Sequence, residues 1–371
     1  MKRTERGNRK VRKEKGDKER LLILFLAALL LFAIIFLFSR SSRLSEAYMQ
    51  HLYPLFASLL SFLSGIFPFS LYDLFITATF LWLIGMIVRL LLRKTGWKRF
   101  LFITGRFALI VVAWFYLGWG VAYFRDDFYA RSEVSKAPFD RENLMRLTET
   151  IIEQVNQSYV NCSTMDKENI HREIEKSYAT LQEPLHLTYP NGKRRAKPML
   201  FEPIYSGMGV SGYFGPFFNE IHVNHFGLPF TYPFTLAHEM SHQFGIAAES
   251  EANLYGFAAC INSNHPMVRY SGYVSVLGYL LRDARRLLPD AYDSLVQSIR
   301  PEIISDLQRN SEHWMAARNS ILSDAQDKIY DAYLKTNQVS SGRDNYSEVV
   351  GLLLSFDFVQ IINQKDESHD Y

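Results

Sequence analysis

The fold and function of this chain depend above all on residues 231–253, TYPFTLAHEMSHQFGIAAESEAN. His238 and His242 are four residues apart, which puts their side chains on one face of a helix, about one turn from each other. Two imidazoles at that spacing can bind one Zn²⁺ from the same side, and Glu239 can act as general base on a zinc-bound water. The stretch therefore predicts a zinc helix. The alternative is a core helix whose histidines are hydrogen-bonded and inert.

The residues on either side of the motif predict where this helix begins and ends. Thr231 can cap the N-terminus, and Pro233 lies in the first turn, where a backbone N–H has no helical partner. Gly245 follows soon after the second histidine and is a plausible helix stop. We therefore expect a helix between Thr231 and Gly245.

A catalytic zinc site needs a third protein ligand and one open position for water. Glu249 opens a second helical stretch, ESEANLYGFAACIN, and is the expected third ligand. Glu251 is the rival, but it lies about 200° around the helix from Glu249 and should face away. Asn253 shares the face of Glu249 and is expected to hydrogen-bond a ligand histidine. The alternative for Glu249 is a carboxylate that only stabilises the helix N-terminus.

The pattern H-E-x-x-H followed by E-x-x-A-[D/N] resembles the gluzincin metallopeptidases, especially the membrane-embedded CAAX-prenyl-endopeptidase-like group. The resemblance implies that His238, His242 and Glu249 bind zinc and that Glu239 is the base. Asn253 stands where that group usually has Asp, and the spacing from His242 to Glu249 is shorter than in most of the group. The whole chain more closely resembles an uncharacterised bacterial family of multi-pass membrane proteins with this motif, which implies no known substrate.

Composition points to a membrane protein with one further domain. The chain has 371 residues and a mass of 43.1 kDa, enough for a membrane region and a domain with its own core. Residues 1–20 hold ten Lys or Arg against four Asp or Glu, and an apolar run follows at once. We interpret residues 1–20 as a basic cytoplasmic tail beside a lipid bilayer, and we expect no nucleic-acid partner.

Three apolar segments are long enough to cross a membrane: residues 21–39, 74–92 and 101–124. They define a membrane region over 21–124. A short basic loop, residues 93–99, separates the second from the third. Because basic flanks stay in the cytoplasm, residues 1–20 and 93–99 are expected inside and residues 125–371 outside. This predicts a multi-pass protein of the cell membrane with an extracytoplasmic domain, on the periplasmic side in a bacterium.

Residues 45–73 are the ambiguous part of this topology. They are apolar and aromatic but contain Pro54, Gly65 and Pro68. We interpret the segment as interfacial or re-entrant on the outer side. If it crosses the membrane instead, the domain that follows lies in the cytoplasm.

A strand is predicted just before the zinc helix. Ile221 and Val223 alternate with His222 and Asn224, which is the periodicity of a half-buried strand. In zincins an edge strand at this place pairs with an extended peptide, so Gly212–Asn224 is expected to line the substrate groove. The alternative is a glycine-rich connection with no binding role.

Two further pairs carry no assigned chemistry. His222 and His225 could form a second metal pair, but on an alternating strand they point to opposite faces, so we treat them as bystanders. Cys162 and Cys260 could pair or stay free.

The rest of the outer domain is expected to be helical. Residues 141–185 predict two helices, and long helical stretches follow the zinc helices at residues 266–288, 290–308, 311–335 and 345–356. The predicted fold class is α+β but mainly α. It consists of N-terminal transmembrane helices followed by a zincin-like domain with a small β-sheet and a helical C-terminal half.

Peptide hydrolysis develops an oxyanion, which many zincins stabilise with a His, Tyr or Arg beside the metal. The candidates are His265, Tyr333, Arg343 and Tyr346, and we favour Tyr346 as a catalytic residue beside Glu239. For any one of them an ordinary surface position is the alternative.

These observations predict a membrane-anchored zinc metalloendopeptidase that acts on a peptide or protein substrate, with Zn²⁺ as its cofactor. The first alternative is a membrane sensor or regulatory protein that keeps a zincin fold without proteolysis. The second is a structural zinc site that joins two helices. Glu239 favours the enzyme, because a structural site needs no base and would close with a fourth ligand.

Overall fold

The structure, a computed structural model, describes residues 2–183, 185–188, 194–336 and 346–356. Within these residues the fold is mainly helical with one small two-stranded sheet. The predicted mainly helical fold class with a small sheet is confirmed to this extent. The zincin-like character of the outer domain stays a prediction.

Within the described residues, three helices are long and apolar enough to cross a membrane. They are α1 (Lys2–Ser39), whose apolar part is Glu19–Ser39, α4 (Leu71–Leu91) and α5 (Trp97–Gly118). Almost none of their apolar surface is buried inside the protein, so it is available to lipid. The three predicted apolar segments are therefore helices, with ends shifted by a few residues.

The predicted end of the third segment is wrong. Residues 101–124 were expected to form one helix, but α5 stops at Gly118 and a 3-10 turn covers Gly120–Phe124. A Cβ at position 120 would lie 2.6 Å from the ring of Phe115, so only glycine allows the chain to fold back so tightly. Trp119 and the turn are buried in protein rather than exposed to lipid.

Two short helices, α2 (Ser42–His51) and α3 (Tyr53–Ser64), form the segment whose topology was ambiguous. With 12 residues, α3 is about 18 Å long and too short to cross the hydrocarbon. One face of α3 is buried in the protein through Tyr53, Ala57, Ser61 and Ser64. The opposite face is apolar and exposed at Leu55, Leu59 and Phe62. A helix with one protein face and one exposed apolar face fits the predicted interfacial position.

Contacts of α2 bring the ends of two apolar helices to the same side of the molecule. The Ser45 hydroxyl donates to the carbonyl of Phe38, in the last turn of α1, at 3.0 Å. The Tyr48 hydroxyl donates to the carbonyl of Leu117, at the end of α5. The C-terminal ends of α1 and α5 therefore lie beside α2, on the side where the rest of the chain folds.

The main core is built around three central helices, α10 (Tyr232–Gln243), α11 (Glu249–Ile261) and α12 (Pro266–Leu287). The two helices predicted over residues 141–185 are confirmed as α7 (Arg141–Ser158) and α8 (Lys167–Thr180), and both pack on this core. The remaining helices are α6 (Phe128–Arg131), α9 (Glu202–Met208), α13 (Pro289–Gln297), α14 (Pro301–Ala317), α15 (Ser320–Thr336) and α16 (Tyr346–Ser355).

The predicted helix over residues 290–308 is wrong, because the chain breaks between α13 and α14. Arg300, which precedes Pro301, has an extended backbone with φ −55° and ψ 137°. A residue before proline is pushed out of the helical region, whereas proline itself suits the first turn of a new helix. The helix that starts at Pro301 then continues to Ala317, beyond the predicted end.

The sheet is a hairpin of β1 (Gly212–Gly215) and β2 (Glu220–Val223). The strands are antiparallel, with Gly212 opposite Val223 and Gly215 opposite Glu220. On its other side β2 forms a single bridge, at His222 with Lys197. The predicted strand is thus confirmed as part of a hairpin, and β1 is its edge strand.

A buried polar network attaches the hairpin to the first turn of α4. The carboxylate of Glu220 accepts from the backbone N–H groups of Leu71 and Tyr72 and from Nζ of Lys197, the last at 2.5 Å. The carboxylate of Asp73 accepts from the hydroxyl of Tyr213 at 2.5 Å. Glu220 and Asp73 are both almost fully buried, so these contacts hold the hairpin against a candidate membrane helix.

His222 belongs to the same network and is not a metal-site residue. Its Nε2 lies 2.8 Å from the hydroxyl of Ser70, and its ring stacks on Tyr213 at 4.2 Å. His225 follows the strand and is 45% exposed, so the two histidines do not share a site, as predicted. Burial lowers the pKa of His222 to about 4, with a smaller effect of the Lys197 charge in the same direction.

The shifted pKa of His222 predicts acid sensitivity of the fold. Between the ordinary value of 6.5 and about 4 the unfolded chain binds a proton that the folded chain does not, so stability falls as the pH drops through this window. Between pH 7 and pH 5, we expect the free energy of unfolding of His222→Gln to fall by about 2 kcal/mol less than that of the wild type. Thermal unfolding in detergent at both pH values measures the difference. His225→Gln should behave like the wild type, and an equal loss in His222→Gln would contradict the prediction.

Candidate metal centre

The helix that carries the motif has the predicted limits. It runs from Tyr232 to Gln243, and Gly245 then adopts a left-handed conformation with φ +84°. That conformation lets the N–H of Ile246 reach back to the carbonyl of Ser241, which closes the helix end. Thr231 is the N-cap residue, but the predicted side-chain cap is absent, since its hydroxyl donates to the carbonyl of Leu228.

Three side chains converge at the predicted site. The Nε2 atoms of His238 and His242 are 3.2 Å apart. The Oε2 atom of Glu249 lies 3.1 Å from the first and 3.6 Å from the second. Ligand atoms about 2.0–2.1 Å from a tetrahedral ion are about 3.3 Å from one another. The spacing of the three atoms therefore matches one small cation between them.

The hydrogen bonds of the two imidazoles show which ring nitrogens direct a lone pair toward the space between the three ligand atoms. The Nδ1 atom of His242 lies 2.7 Å from the carbonyl of Ile246, which can only accept, so this nitrogen carries the proton. The Nδ1 atom of His238 lies 3.1 Å from Oδ1 of Asn253 and donates to it in the same way. In the neutral rings both Nε2 atoms are then unprotonated.

This arrangement is a test of whether a metal fits. Two unprotonated nitrogens and a carboxylate oxygen repel one another at about 3 Å unless a positive charge lies between them. A proton or a metal cation can supply that charge, and two imidazoles with one carboxylate are a donor set that suits Zn²⁺. The residues present therefore fit zinc.

Close packing of α11 on α10 brings Glu249 and Asn253 to the histidines. A Cβ at Gly256 would lie 3.1 Å from the backbone nitrogen of His238, so glycine allows the two helices to approach closely here. Glu249, Asn253 and Gly256 follow one another at intervals of four and three residues and lie on one face of α11. That face is turned toward the histidines.

Glu251 has a different place, as helical geometry predicts. Its carboxylate forms a buried ion pair with Arg131 at 2.5 Å and accepts from the N–H of Phe128 at 2.7 Å. It therefore connects α11 to α6 and is not directed at the site.

Glu239 is buried beside the edge strand. Its Oε1 atom lies 2.7 Å from the position that a Cβ of Gly212 would occupy, so only glycine fits on β1 at this point. Its Oε2 atom is buried and has no hydrogen-bond partner among the described residues. Such an atom is available to a proton donor that enters the site.

The charges of the site influence one another. Burial raises the pKa of Glu239 to about 7, although the nearby His238 and His242 lower it. Burial alone would lower the pKa of His242, but the carboxylate of Glu249 outweighs it and raises this pKa to about 9. Partial burial would raise the pKa of Glu249, but the same two histidines hold it well below its usual range. The triad thus favours a positive charge between its three ligand atoms, either a proton or a metal cation.

Three residues from the N-terminal part of the chain, none of them among the predicted site residues, hold the chain at the C-terminal end of α10. The indole N–H of Trp119 donates to the carbonyl of His242 at 2.8 Å. The hydroxyl of Tyr53 donates to the carbonyl of Gln243 at 2.7 Å, and Arg125 donates to the carbonyl of Gly245 at 3.0 Å. Trp119 comes directly after α5, so the site lies at the end of a candidate membrane helix.

The predicted oxyanion-stabilising residues are not brought to the site by the described structure. His265 follows the C-terminus of α11, about 20 Å of helix away from Glu249 at its first residue. Arg343 and the side chains of Tyr333 and Tyr346 lie outside the described residues. The role assigned to Tyr346 stays a prediction.

Two other features lie apart from the triad. Cys162 and Cys260 are separate free thiols, which answers the open question about their pairing. A groove of about 550 Å³ lies between α4 and α5, with Phe75, Trp82 and Arg106 among its lining residues. None of the three converging side chains lines it.

Comparison with known proteins identifies the family. A family model described as a protein of unknown function (DUF3810) matches residues 48–354. The chain belongs to this family. The match begins in α2 and ends in α16, so the family unit contains α4, α5, the hairpin and the triad together. This confirms the predicted membership of an uncharacterised family, whose description gives no activity.

No curated protein matches the chain, and no solved structure matches it.

Proposed function

We propose that this member of the family is a membrane-anchored zinc-dependent metalloendopeptidase. The observation that carries the proposal is the convergence of two imidazole nitrogens and one carboxylate oxygen at the spacing of a tetrahedral ion. The buried carboxylate of Glu239, next in sequence to one of these ligands, adds a base at the same place.

Zn²⁺ bound by His238, His242 and Glu249 would polarise the scissile carbonyl and acidify a water molecule. Glu239 would take one proton from the attacking water and hold it on its carboxylate. The water oxygen forms the new bond to the carbonyl carbon, the C–N bond breaks, and Glu239 passes the proton to the leaving amine. Asn253 and the carbonyl of Ile246 keep both imidazoles oriented throughout, through their Nδ1–H groups.

Two features favour catalysis over a structural zinc. The described residues offer three ligands to the site, whereas a structural zinc usually has four. The side chain of Glu249 is 40% exposed, so the site is open to solvent on that side. A sensor that only binds zinc would need no carboxylate at Glu239, where burial disfavours the charged form.

We place the site at the outer face of the cell membrane. The basic residues 1–20 and 93–99 favour a cytoplasmic position for both segments. The C-terminal ends of α1 and α5, which lie beside α2, would then be extracytoplasmic, and so would the triad. A reporter that is active only outside the cytoplasm, fused after Tyr371, tests this, and activity of only a cytoplasmic reporter would reverse it.

The metal assignment predicts one zinc per chain in the purified protein. His242→Ala removes a ligand and leaves two, so we expect most of the zinc to be lost. His225→Ala, which changes an exposed histidine away from the site, should keep it. Metal analysis by mass spectrometry measures both variants beside the wild type. Full zinc occupancy in a folded His242→Ala would exclude the proposed ligand set.

A further inference from the structure

The edge strand β1 has an open side that passes over the site. The N–H of Asn224 donates to the carbonyl of Ser211 at 2.8 Å, which makes these two residues a hydrogen-bonded pair of the antiparallel ladder. The backbone groups of Gly212 and Phe214, at alternate positions, then point away from β2. No other described segment pairs with that side of β1.

The same strand has a definite direction relative to the membrane helices. At its first residue, Gly212, it touches Glu239. At its last residue, Gly215, a Cβ would lie 2.8 Å from the ring of Tyr72, in the first turn of α4. The hairpin turn continues to Phe217, whose ring is 5.0 Å from Phe75 of α4. β1 therefore runs from the base toward the membrane.

A peptide can add to this open side by pairing with the backbone of β1. Antiparallel pairing is more stable per residue and more common than parallel pairing. A peptide in that orientation has its amino-terminal end beside Gly215, at the membrane. Its chain then runs away from the membrane and passes Glu239. The peptide bond presented to Glu239 is then carboxyl-terminal to the part of the substrate that lies in the membrane.

The distance from the membrane end of β1 to Glu239 is short. Gly212 and Gly215 are three residues apart, which is about 10 Å of extended chain. Trp119, which binds the carbonyl of His242, directly follows the last residue of α5. A substrate would thus leave the membrane and reach Glu239 within about three to six residues.

We infer that the substrate is a membrane-anchored protein whose anchor precedes the scissile bond, and that cleavage occurs a few residues outside the membrane. This rests on the proposed peptidase function and specifies its substrate class. Cleavage adds one water across the peptide bond. The carboxylate product stays in the membrane, and the fragment with the new amino terminus is released.

The test uses the zinc-loaded full chain in phosphatidylcholine vesicles that contain some phosphatidylglycerol. Two model substrates carry the same cleavable segment, one with a transmembrane anchor before it and one with the anchor after it. We expect the first to be cleaved at least about tenfold faster, a factor that one or two backbone hydrogen bonds can account for. Flexible spacers are then inserted between the anchor and the segment. Mass spectrometry of the products should show that cleavage stays at a constant distance from the anchor.

A second measurement does not depend on turnover. In the Glu239→Gln variant, with Cys162→Ser as background, Ser211→Cys places a thiol at the exposed end of β1 away from the membrane. A bifunctional maleimide should join it to a substrate cysteine on the carboxyl-terminal side of the segment, not to one on the amino-terminal side.

The outcomes separate the two proposals. Equal cleavage of both substrates, a preference for the carboxyl-anchored one, or crosslinking to the amino-terminal side would overturn the inferred substrate class and leave the peptidase intact. The same holds if soluble peptides are cleaved and neither anchored substrate is. If neither anchored nor soluble peptides are cleaved by protein with full zinc, the peptidase function fails, and the substrate class fails with it.

Discussion

We expect Glu239→Gln to retain the proposed zinc and to lose peptide hydrolysis by a factor of about 10²–10⁴. The substitution keeps the size and shape of a side chain that is packed against Gly212 and is 5% exposed, so the fold has no reason to change. The three proposed ligands are untouched. Only the ability to take a proton from water is removed, which is the loss expected for a general base.

Metal content and hydrolysis of a broad set of extended peptides should be measured on the same preparations. Glu149→Gln, which neutralises an exposed carboxylate on α7, is the control for the change in charge and should be fully active. Loss of zinc together with activity would mean that Glu239 supports the metal rather than the reaction. Unchanged hydrolysis in Glu239→Gln would refute its role as base.

We expect Lys197→Met to destabilise the protein by about 3 kcal/mol or more. The ion pair of Lys197 with Glu220 is buried, with the two side chains 8% and 0% exposed. Removal of one partner leaves a charge without its counter-ion in the interior, which typically costs about 3–5 kcal/mol. The amides of Leu71 and Tyr72 still bind Glu220, so the lower end of that range is expected.

Unfolding in detergent against a denaturant measures the change in the free energy of unfolding. Lys176→Met removes an exposed lysine from an ion pair with Glu173 and should change stability by less than about 1 kcal/mol. The double variant Lys197→Met/Glu220→Gln should recover part of the loss, because no unpaired charge remains. A single variant as stable as the wild type would show that Lys197 is not needed for the attachment of the hairpin to α4.

The local parts of the site could be predicted from sequence because they depend on helical spacing. Intervals of four residues within α10 and α11 place the histidines together and place Asn253 behind Glu249. The turn at Gly245 also follows from a local property, since glycine adopts a positive φ readily. These features need no knowledge of the tertiary structure.

The contacts that position the site could not be predicted in this way. Trp119 was assigned to a membrane span because it continues an apolar run, and its bond to His242 joins residues 123 positions apart. Glu220 and Asp73 meet their partners over similar sequence distances. A signal was present nonetheless. An acidic residue such as Asp73, at the edge of an apolar segment, indicates a partner elsewhere in the protein.

The hydrogen bonds at the C-terminal end of α10 determine when the site can form during biosynthesis. The last two carbonyls of α10 are bound by Trp119 and Tyr53, which belong to the part of the chain with the apolar helices, and Arg125 binds the carbonyl of Gly245 just beyond it. A fragment that begins at residue 125 would lack the first two donors, and the carbonyl of Gln243 would lose the hydroxyl that binds it. During biosynthesis these donors emerge before α10, so membrane insertion would precede completion of the site. The proposed peptidase activity would then arise only in chains that are already anchored, and nascent or mislocalised chains would be harmless to other proteins.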